Sequence, residues 1–262
     1  MRLQRKYSNT GYYHIMLRGN ERKKIFRDDE DRLRFINILH KKQSKTDLSI
    51  YAYCLMDNHV HLILRENNKE ISLIMKGIAT SYAMYFNIKY GRVGHVFQDR
   101  FKSEAVEDER YLMAVIRYVH QNPIKAGLVE RPENYQWSSY QWYIKPEAEE
   151  AKFLDTQYVL GMISENQATA IVEFKRFFKE INDDAFLDDD DSSIRTLEEG
   201  EAYLNKFMEK NWSGANLDKI ISDKNTRNEV IRILRTHTKL PIVSIAKLLG
   251  VNRGIVERVK SG

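Results

Sequence analysis

The sequence predicts an α+β fold: a ferredoxin-like domain with an antiparallel sheet, followed by a helical C-terminal region that ends in a helix-turn-helix. Three observations carry this prediction. Apolar strand-like segments alternate with segments of helical periodicity in the order βαββαβα over the first half of the chain. The two-residue turn Asp57-Asn58 joins two of the strands as a hairpin. The last segment has two amphipathic stretches around Gly250.

The first predicted strand covers residues 11–18, and a polar turn leads from it into an amphipathic helix. Asp28 or Asp29 is placed to cap this helix, because a carboxylate accepts hydrogen bonds from the first backbone amides of a helix. Apolar side chains recur at near-helical spacing and are expected to face the core. These positions are Leu33, Phe35, Ile36 and Leu39.

Two further predicted strands, LSIYAYCLM and HVHLILR, flank Asp57-Asn58. Asp and Asn tolerate the backbone angles of a tight turn, so these strands are predicted to pair antiparallel. A helix with an apolar face is predicted over residues 70–89. Gly91 and Gly94 interrupt it, and FKSEAV is predicted to be the last strand.

The last helix of this domain is predicted to begin at Asp108 and to carry Tyr118 and Asn122, four residues apart, on one face. Pro123 disfavours helical geometry at the preceding residue, so the helix is predicted to end at Asn122. His120 lies off the Tyr118 face and is predicted to pack or to contact a DNA backbone. The domain is expected to have its sheet on one side and its helices on the other.

The composition is that of an ordinary globular protein, with 262 residues and 42% hydrophobic content. No apolar run reaches the roughly 18 residues of a membrane span, and the first residues lack the apolar stretch of a signal peptide. We therefore expect no membrane association and a cytoplasmic location. The single cysteine, Cys54, lies in an apolar run and is expected to pack as a small hydrophobic residue.

Charge is distributed unevenly along the chain, whose net charge is +5. Residues 1–145 contain 25 Lys and Arg against 16 Asp and Glu, residues 146–225 contain 9 against 19, and residues 226–262 contain 8 against 2. We interpret these segments as a main domain, an acidic helical connector with a flexible loop at FLDDDDSS (186–193), and a basic helix-turn-helix. Basic blocks suit contacts with a phosphate backbone, although such segregation is also typical of solvated surfaces.

The strongest chemical signal is the pair His59 and His61 in the predicted strand HVHLILR. Side chains two apart on a strand share a face, so both imidazoles can bind one divalent metal while Val60 and Leu62 face the core. Tyr118 adds a nucleophile, and a metal beside a phenol indicates phosphoryl transfer through tyrosine. A short H-x-H pair also occurs by chance, so the pair alone decides nothing.

Five blocks accompany these residues: YYHIMLRGNERKKIFRDDED, YAYCLMDNHVHLIL, GRVGHVFQDRFKS, RYVHQNPIKAGLV and ENYQWSSY. Together they closely resemble the REP-associated tyrosine transposases, a branch of the single-tyrosine transposases in the HUH endonuclease superfamily. The resemblance implies the ferredoxin-like fold for residues 1–145 and metal binding by His59 and His61. It also implies attack on DNA by Tyr118, which gives a 5′-phosphotyrosine and a free 3′-hydroxyl.

Asn122 is the third predicted metal ligand, at a position where related single-tyrosine transposases carry glutamine. Its side chain can ligate directly, ligate through water, or cap the helix end beside Pro123. Imidazole and oxygen ligands suit Mn²⁺ or Mg²⁺, so a weakly held divalent ion is the predicted cofactor, with no organic cofactor. The predicted partner is a single-stranded DNA hairpin, bound by a monomer or a homodimer.

Basic and polar side chains are predicted to contact DNA after the first strand, in GRVGHVFQDRFKS and on the recognition helix of the helix-turn-helix. Phe97 or Phe101 is placed to stack on an unpaired base. The alternatives are a phenylalanine core with solvated charges, and a plain helical hairpin at the C-terminal segment. The predicted DNA-binding residues are Arg18, Arg22, Lys23, Lys24, Arg92, His95, Gln98, Arg100, Lys102, Arg253 and Arg258.

The predicted function is a metal-dependent single-strand DNA endonuclease and strand transferase at hairpin-forming repeats. A non-catalytic, sequence-specific DNA-binding regulator derived from a transposase is one alternative. An RNA-binding module is another, because this topology also serves RNA recognition. His14 and His40 have no partner in the sequence and are predicted to be structural or surface residues.

Overall fold

The computed structural model describes residues 7–46, 48–179, 197–212, 217–238 and 240–259. The chain divides into two compact units, Met1–Leu187 and Asp188–Gly262. The predicted loop at 186–193 lies outside the described residues. The division of the chain into three functional segments remains a prediction.

The strands and α-helices of the first unit follow the predicted order. Their bounds are β1 Tyr12–Arg18, α1 Asp29–Thr46, β2 Leu48–Met56, β3 His59–Glu66, α2 Ile71–Lys89, β4 Lys102–Val106, α3 Glu109–Lys125, α4 Tyr140–Ile144, α5 Thr156–Ile163 and α6 Gln167–Phe177. The strand order is β2-β3-β1-β4, and all three neighbouring pairs are antiparallel. This is the ferredoxin-like arrangement that the sequence predicts, with α1 and α2 as the two crossovers.

One face of the sheet packs against α1 and α2. Ile15 of β1 shares this core with Phe35 of α1 and Tyr82 of α2. Val60 and Leu62 of β3 also lie in it and are fully buried. The predicted inward direction of these two side chains is therefore confirmed.

The opposite face packs against α3, which corrects the prediction that helices cover only one side. Tyr12 and Ile63 of the sheet share a second core with Val115 and Val119 of α3. The strands carry apolar residues at both alternating positions, so both faces must be covered. Cys54 lies in this second core as a small hydrophobic residue, as predicted.

The predicted inward direction of Leu33 in α1 is wrong. Leu33 is 53% exposed, whereas Phe35 and Leu39 are fully buried. Residues two apart on an α-helix are separated by about 200° around its axis, so Leu33 and Phe35 cannot share a face.

The predicted end of α3 at Asn122 is also wrong, because the helix continues through Pro123 to Lys125. A proline removes its own amide donor from a helix but leaves the amides of the following residues free to donate. The backbone amides of Ala126 and Leu128 donate to the carbonyl oxygens of Asn122 and Pro123, both at 2.9 Å. The last turn therefore keeps its hydrogen bonds.

Helices α5 and α6 pack on the same face of the sheet as α3. The rings of Tyr143 and Phe174 stack with centroids 4.6 Å apart and belong to the second core. His120 is enclosed there, with Nε2 2.7 Å from the hydroxyl oxygen of Ser139. Burial lowers the pKa of His120 to about 3. His120 is therefore a neutral packing residue, and the alternative of a DNA-backbone contact is wrong.

The loop after β1 is held against the turn that precedes β3. The amide of Gly19 donates to the carbonyl oxygen of Asn58, and the amide of Ile25 donates to that of Asp57, both at 2.8 Å. A Cβ atom at Gly19 would lie 2.1 Å from the carbonyl oxygen of Lys23. Only glycine therefore lets this loop fold back so closely on itself.

The described part of the second unit is helical. Its helices are α7 Leu197–Asn211, α8 Leu217–Ser222, α9 Lys224–His237, α10 Ile242–Leu249 and α11 Arg253–Arg258. Gly250 ends α10 in a left-handed conformation with φ of 62°, and the Asn252 side chain caps α11. The last two helices lie where the sequence places them, and their recognition of DNA remains a prediction. Among the residues just given, no helix is long and apolar enough to cross a membrane.

Candidate active site

Both histidines of the H-x-H pair lie on β3, on the face that packs against α3. Their ring centroids are 4.9 Å apart and the rings are perpendicular. His61 is fully buried, and His59 is half-buried at the start of the strand. The structure therefore brings the two imidazoles together, as their spacing predicts.

A third histidine, His14 of β1, joins this pair. Its Nε2 lies 3.1 Å from Nδ1 of His61, and the two rings are stacked with centroids 5.3 Å apart. The sequence-based interpretation of His14 as a residue without a partner is therefore wrong. Strand alternation puts His14 on the same face of β1 as Tyr12. Only the register of β1 against β3 shows that this face also carries His61.

Glu104 of β4 extends the row of polar groups. It is the register partner of His14, and its Oε2 lies 3.6 Å from Nδ1 of His14. Burial acts to raise the pKa of Glu104, but polar contacts with His14 and Tyr111 outweigh it and hold the pKa below its usual value. Glu104 is therefore ionised at neutral pH. Glu104, His14 and His61 form one row across three adjacent strands, with both histidines buried and Glu104 partly exposed; we call it the polar row.

Tyr118 of α3 lies over the polar row. Its ring centroid is 5.9 Å from that of His61 and 6.0 Å from that of His14, and both contacts are edge-on. The residue is 5% exposed. The exposed Lys125 places Nζ 4.7 Å from the centre of the Tyr118 ring. The predicted nucleophile thus lies beside the predicted metal ligands.

Asn122 lies one helical turn beyond Tyr118. Its side-chain nitrogen, Nδ2, donates to the backbone carbonyl oxygen of Tyr118 at 3.1 Å. Because α3 continues to Lys125, Asn122 lies inside the helix and does not cap its end. Direct or water-mediated metal ligation by Asn122 remains a prediction.

The donor set of this region fits a divalent cation. Nδ1 of His59 is 2.7 Å from the side-chain oxygen of Asn58, and Nδ1 of His61 contacts His14, so Nε2 is the nitrogen that each ring would offer to a metal. Within the described ranges, no cluster of three or more His, Cys, Asp and Glu side chains is arranged to hold an ion. The remaining ligands would therefore come from Asn122, water or the substrate.

An open cleft of about 550 Å³ lies at the loop after β1 and is lined by Lys23, Lys24, Arg27 and Arg92. Lys24 is paired with Asp57 at 2.8 Å, which ties the cleft to the turn before His59. The Arg27 guanidinium lies 4.3 Å from the centre of the Tyr90 ring. The sequence prediction missed Arg27, because it looks like part of the polar start of α1. Only the folded loop places it beside Arg92.

The other predicted DNA-binding residues are accessible to different extents. The predicted stacking of Phe97 or Phe101 on a base is wrong, because the two are 9% and 8% exposed and pack in the first core. Arg253 pairs with Glu257 at 2.7 Å on α11. Arg18, which faces His59 across the sheet, and Arg22 are half-exposed. His95, Gln98, Arg100, Lys102, Arg253 and Arg258 are exposed.

Residues 7–122 match a family model described as Transposase IS200 like. This segment is similar to the IS200-like transposases, and we call it the transposase domain. The match therefore covers all four strands and ends at Asn122 in α3. It includes the whole polar row, His59 and Tyr118. The similarity therefore links residues 7–122 to DNA transposition proteins.

Individual proteins similar to the chain carry related names. A protein described as a REP-associated tyrosine transposase from Haemophilus influenzae is 22% identical over 159 residues, which are 55% of this chain and 88% of the relative. A solved REP-associated tyrosine transposase bound to a REP hairpin has a TM-score of 0.48 and 19% identity, covering 56% of this chain and 87% of that one. A structure described as a transposase from Deinococcus radiodurans has a TM-score of 0.34 and 18% identity, covering 46% and 97%. The family match and the curated relative confirm the resemblance carried by the five motif blocks.

Proposed function

We propose that the transposase domain is a metal-dependent single-strand DNA endonuclease and strand transferase that works through a covalent bond between Tyr118 and DNA. The single observation that carries this proposal is the position of the Tyr118 ring, 5.9 Å from that of His61, whose own ring is 4.9 Å from that of His59. A tyrosine placed beside two metal-binding imidazoles is the arrangement that such chemistry requires.

In the proposed reaction, the phenolic oxygen of Tyr118 forms a bond to phosphorus and the bond from phosphorus to the 3′-oxygen breaks. The phenol loses its proton, and the departing 3′-oxygen gains one. A bound divalent cation would supply charge neutralisation at the phosphate. Lys125 adds positive charge beside the ring where negative charge develops on the phenol. Because one phosphate ester replaces another, a second 3′-hydroxyl can reverse the step and join strands without ATP.

The burial of Tyr118 limits the directions from which DNA can reach it. Tyr118 itself is almost fully buried, while the half-exposed His59 and the exposed Lys125 border it. A phosphodiester would reach the phenol from these sides. The basic cleft adjoins the His59 end through the Lys24–Asp57 ion pair, so the same strand can occupy both.

We propose single-stranded DNA hairpins as the substrate and Mn²⁺ or Mg²⁺ as the metal. The motif blocks and the name of the curated relative support a repeat-associated substrate.

The test is to incubate the full chain with single-stranded DNA hairpins and Mn²⁺, digest the mixture and measure peptide masses. We expect the Tyr118 peptide to carry a 5′-linked oligonucleotide. Cleaved DNA with a 5′-phosphate and no attached protein would contradict the proposal and indicate a hydrolytic nuclease.

The basic cleft gives a separate prediction for DNA affinity. Replacing Arg27 by alanine is expected to weaken single-strand binding and to lower the slope of log affinity against log salt by about 0.7, the value for one lost phosphate contact. The measurement is a salt titration of binding to a fluorescent hairpin. Arg34→Ala is the matched control, because Arg34 is also exposed and also lies over a ring, that of Tyr85, but does not line the cleft. Equal slopes for both variants would remove the cleft from the DNA path.

A further inference from the structure

The polar row contains two groups to which the proposed reaction assigns no role, His14 and Glu104. His14 is fully buried, and Glu104 is 30% exposed at the side chain. They lie on β1 and β4, and both are directed at the face that carries His61. Burying an imidazole beside a carboxylate carries a desolvation cost, which favours a specific use for the arrangement.

One hydrogen bond, between His61 and His14, and one longer electrostatic contact, between His14 and Glu104, order the groups along the row. If His61 is to bind a cation through Nε2, that nitrogen must keep its lone pair and the ring proton must lie on Nδ1. Nδ1 of His61 then donates to Nε2 of His14, 3.1 Å away. His14 consequently carries its own proton on Nδ1, which faces the Glu104 carboxylate at 3.6 Å. The negative charge of the Glu104 carboxylate favours a protonated Nδ1 on His14, which agrees with this direction.

We propose that His14 is a positioning residue that sets the tautomer and ring orientation of His61, with Glu104 in turn orienting His14. This inference rests on the proposed metal role of His61. Metal-binding histidines commonly donate their second ring nitrogen to an acceptor that fixes the ring. Here the acceptor for His61 is the imidazole of His14, and the carboxylate of Glu104 lies beyond His14.

The first test needs no substitution. Nitrogen-detected NMR of the imidazole rings in the full-length protein, without metal, reports which nitrogen of His61 carries the proton. We expect the proton on Nδ1. A His61 proton on Nε2 would overturn the proposal, and this result would not depend on DNA cleavage or on the role of Tyr118.

The second test compares two substitutions of His14. His14→Gln keeps an acceptor that can face His61, whereas His14→Phe fills the space with a ring that accepts no hydrogen bond. We expect His14→Phe to bind Mn²⁺ about 10–100-fold more weakly by titration and to shift the His61 proton from Nδ1 towards a mixture of both tautomers. We expect His14→Gln to retain both properties. Unchanged Mn²⁺ affinity and tautomer in His14→Phe would reduce His14 to a packing residue.

A failure of this inference can be distinguished from a failure of the proposed function. The mass of the Tyr118 peptide after reaction with a hairpin reports covalent chemistry in the wild-type chain. A Tyr118 adduct together with the wrong His61 tautomer would remove only the role of His14. If the Nδ1 tautomer is present but no adduct forms, His14 still orients His61 and the proposed reaction is wrong.

Discussion

Replacing Tyr118 by phenylalanine is expected to abolish covalent attachment to DNA and to reduce cleavage by about 10³-fold or more, because the change removes the attacking oxygen. The ring stays, so its edge-on contacts with His14 and His61 and its packing in the second core are retained. Hairpin affinity should therefore change little. A denaturing gel of labelled hairpin, run with and without protease, measures cleavage and attachment together.

The matched control is Tyr140→Phe. Tyr140 is also a buried tyrosine of the second core, and burial raises its pKa to about 12. It packs beside His120 rather than beside the polar row. Normal cleavage is expected from this variant.

The pattern of products separates the alternative functions. A covalent adduct in the Tyr118→Phe variant would place the nucleophile elsewhere. Binding without cleavage by the wild-type chain, with either metal, would favour a DNA-binding regulator. Tighter binding to an RNA hairpin than to a DNA hairpin of matched sequence would favour an RNA-binding module.

The sheet and the histidine pair could be predicted from sequence because local signals specify them. Strand alternation places His59 and His61 on one face and Val60 and Leu62 on the other, whatever the strand pairs with. The Asp57-Asn58 turn fixes the hairpin in the same local way. These predictions agree with the bounds of β2 and β3.

The role of His14 depends on long-range pairing, which the sequence does not contain. His14 faces His61 only because β1 lies between β3 and β4 in a particular register, and a shift of one residue would turn it into the other core. Arg27 likewise meets Arg92 through the fold of two separate loops. The continuation of α3 past Asn122 was missed because a general proline preference was outweighed by the hydrogen bonds of the following turn.

The second large effect is expected from the histidine pair. Replacing both His59 and His61 by alanine should remove metal-dependent cleavage, a loss of about 10³-fold or more, because no imidazole then remains on β3 to hold the cation. Hairpin binding through the basic cleft should persist. Cleavage rates measured across a series of Mn²⁺ concentrations, with hairpin affinity measured in parallel, test both statements.

The two substitutions differ in their structural cost, and this difference makes the experiment decisive. His61 is fully buried and contacts His14, so its removal leaves a cavity and a buried imidazole nitrogen with a lost contact, at about 1–3 kcal/mol of stability. His59 is half-buried at the start of β3, so His59→Ala should fold normally and still lose most of the metal response.

His40→Ala is the control, since His40 is exposed on α1 with its ring 5.6 Å from Phe153. A metal that binds only the folded state raises its melting temperature, so Mn²⁺ should stabilise the His40→Ala protein and leave His59→Ala almost unchanged. Mn²⁺ stimulation of cleavage that survives His59→Ala at every metal concentration would show that the cation is held elsewhere.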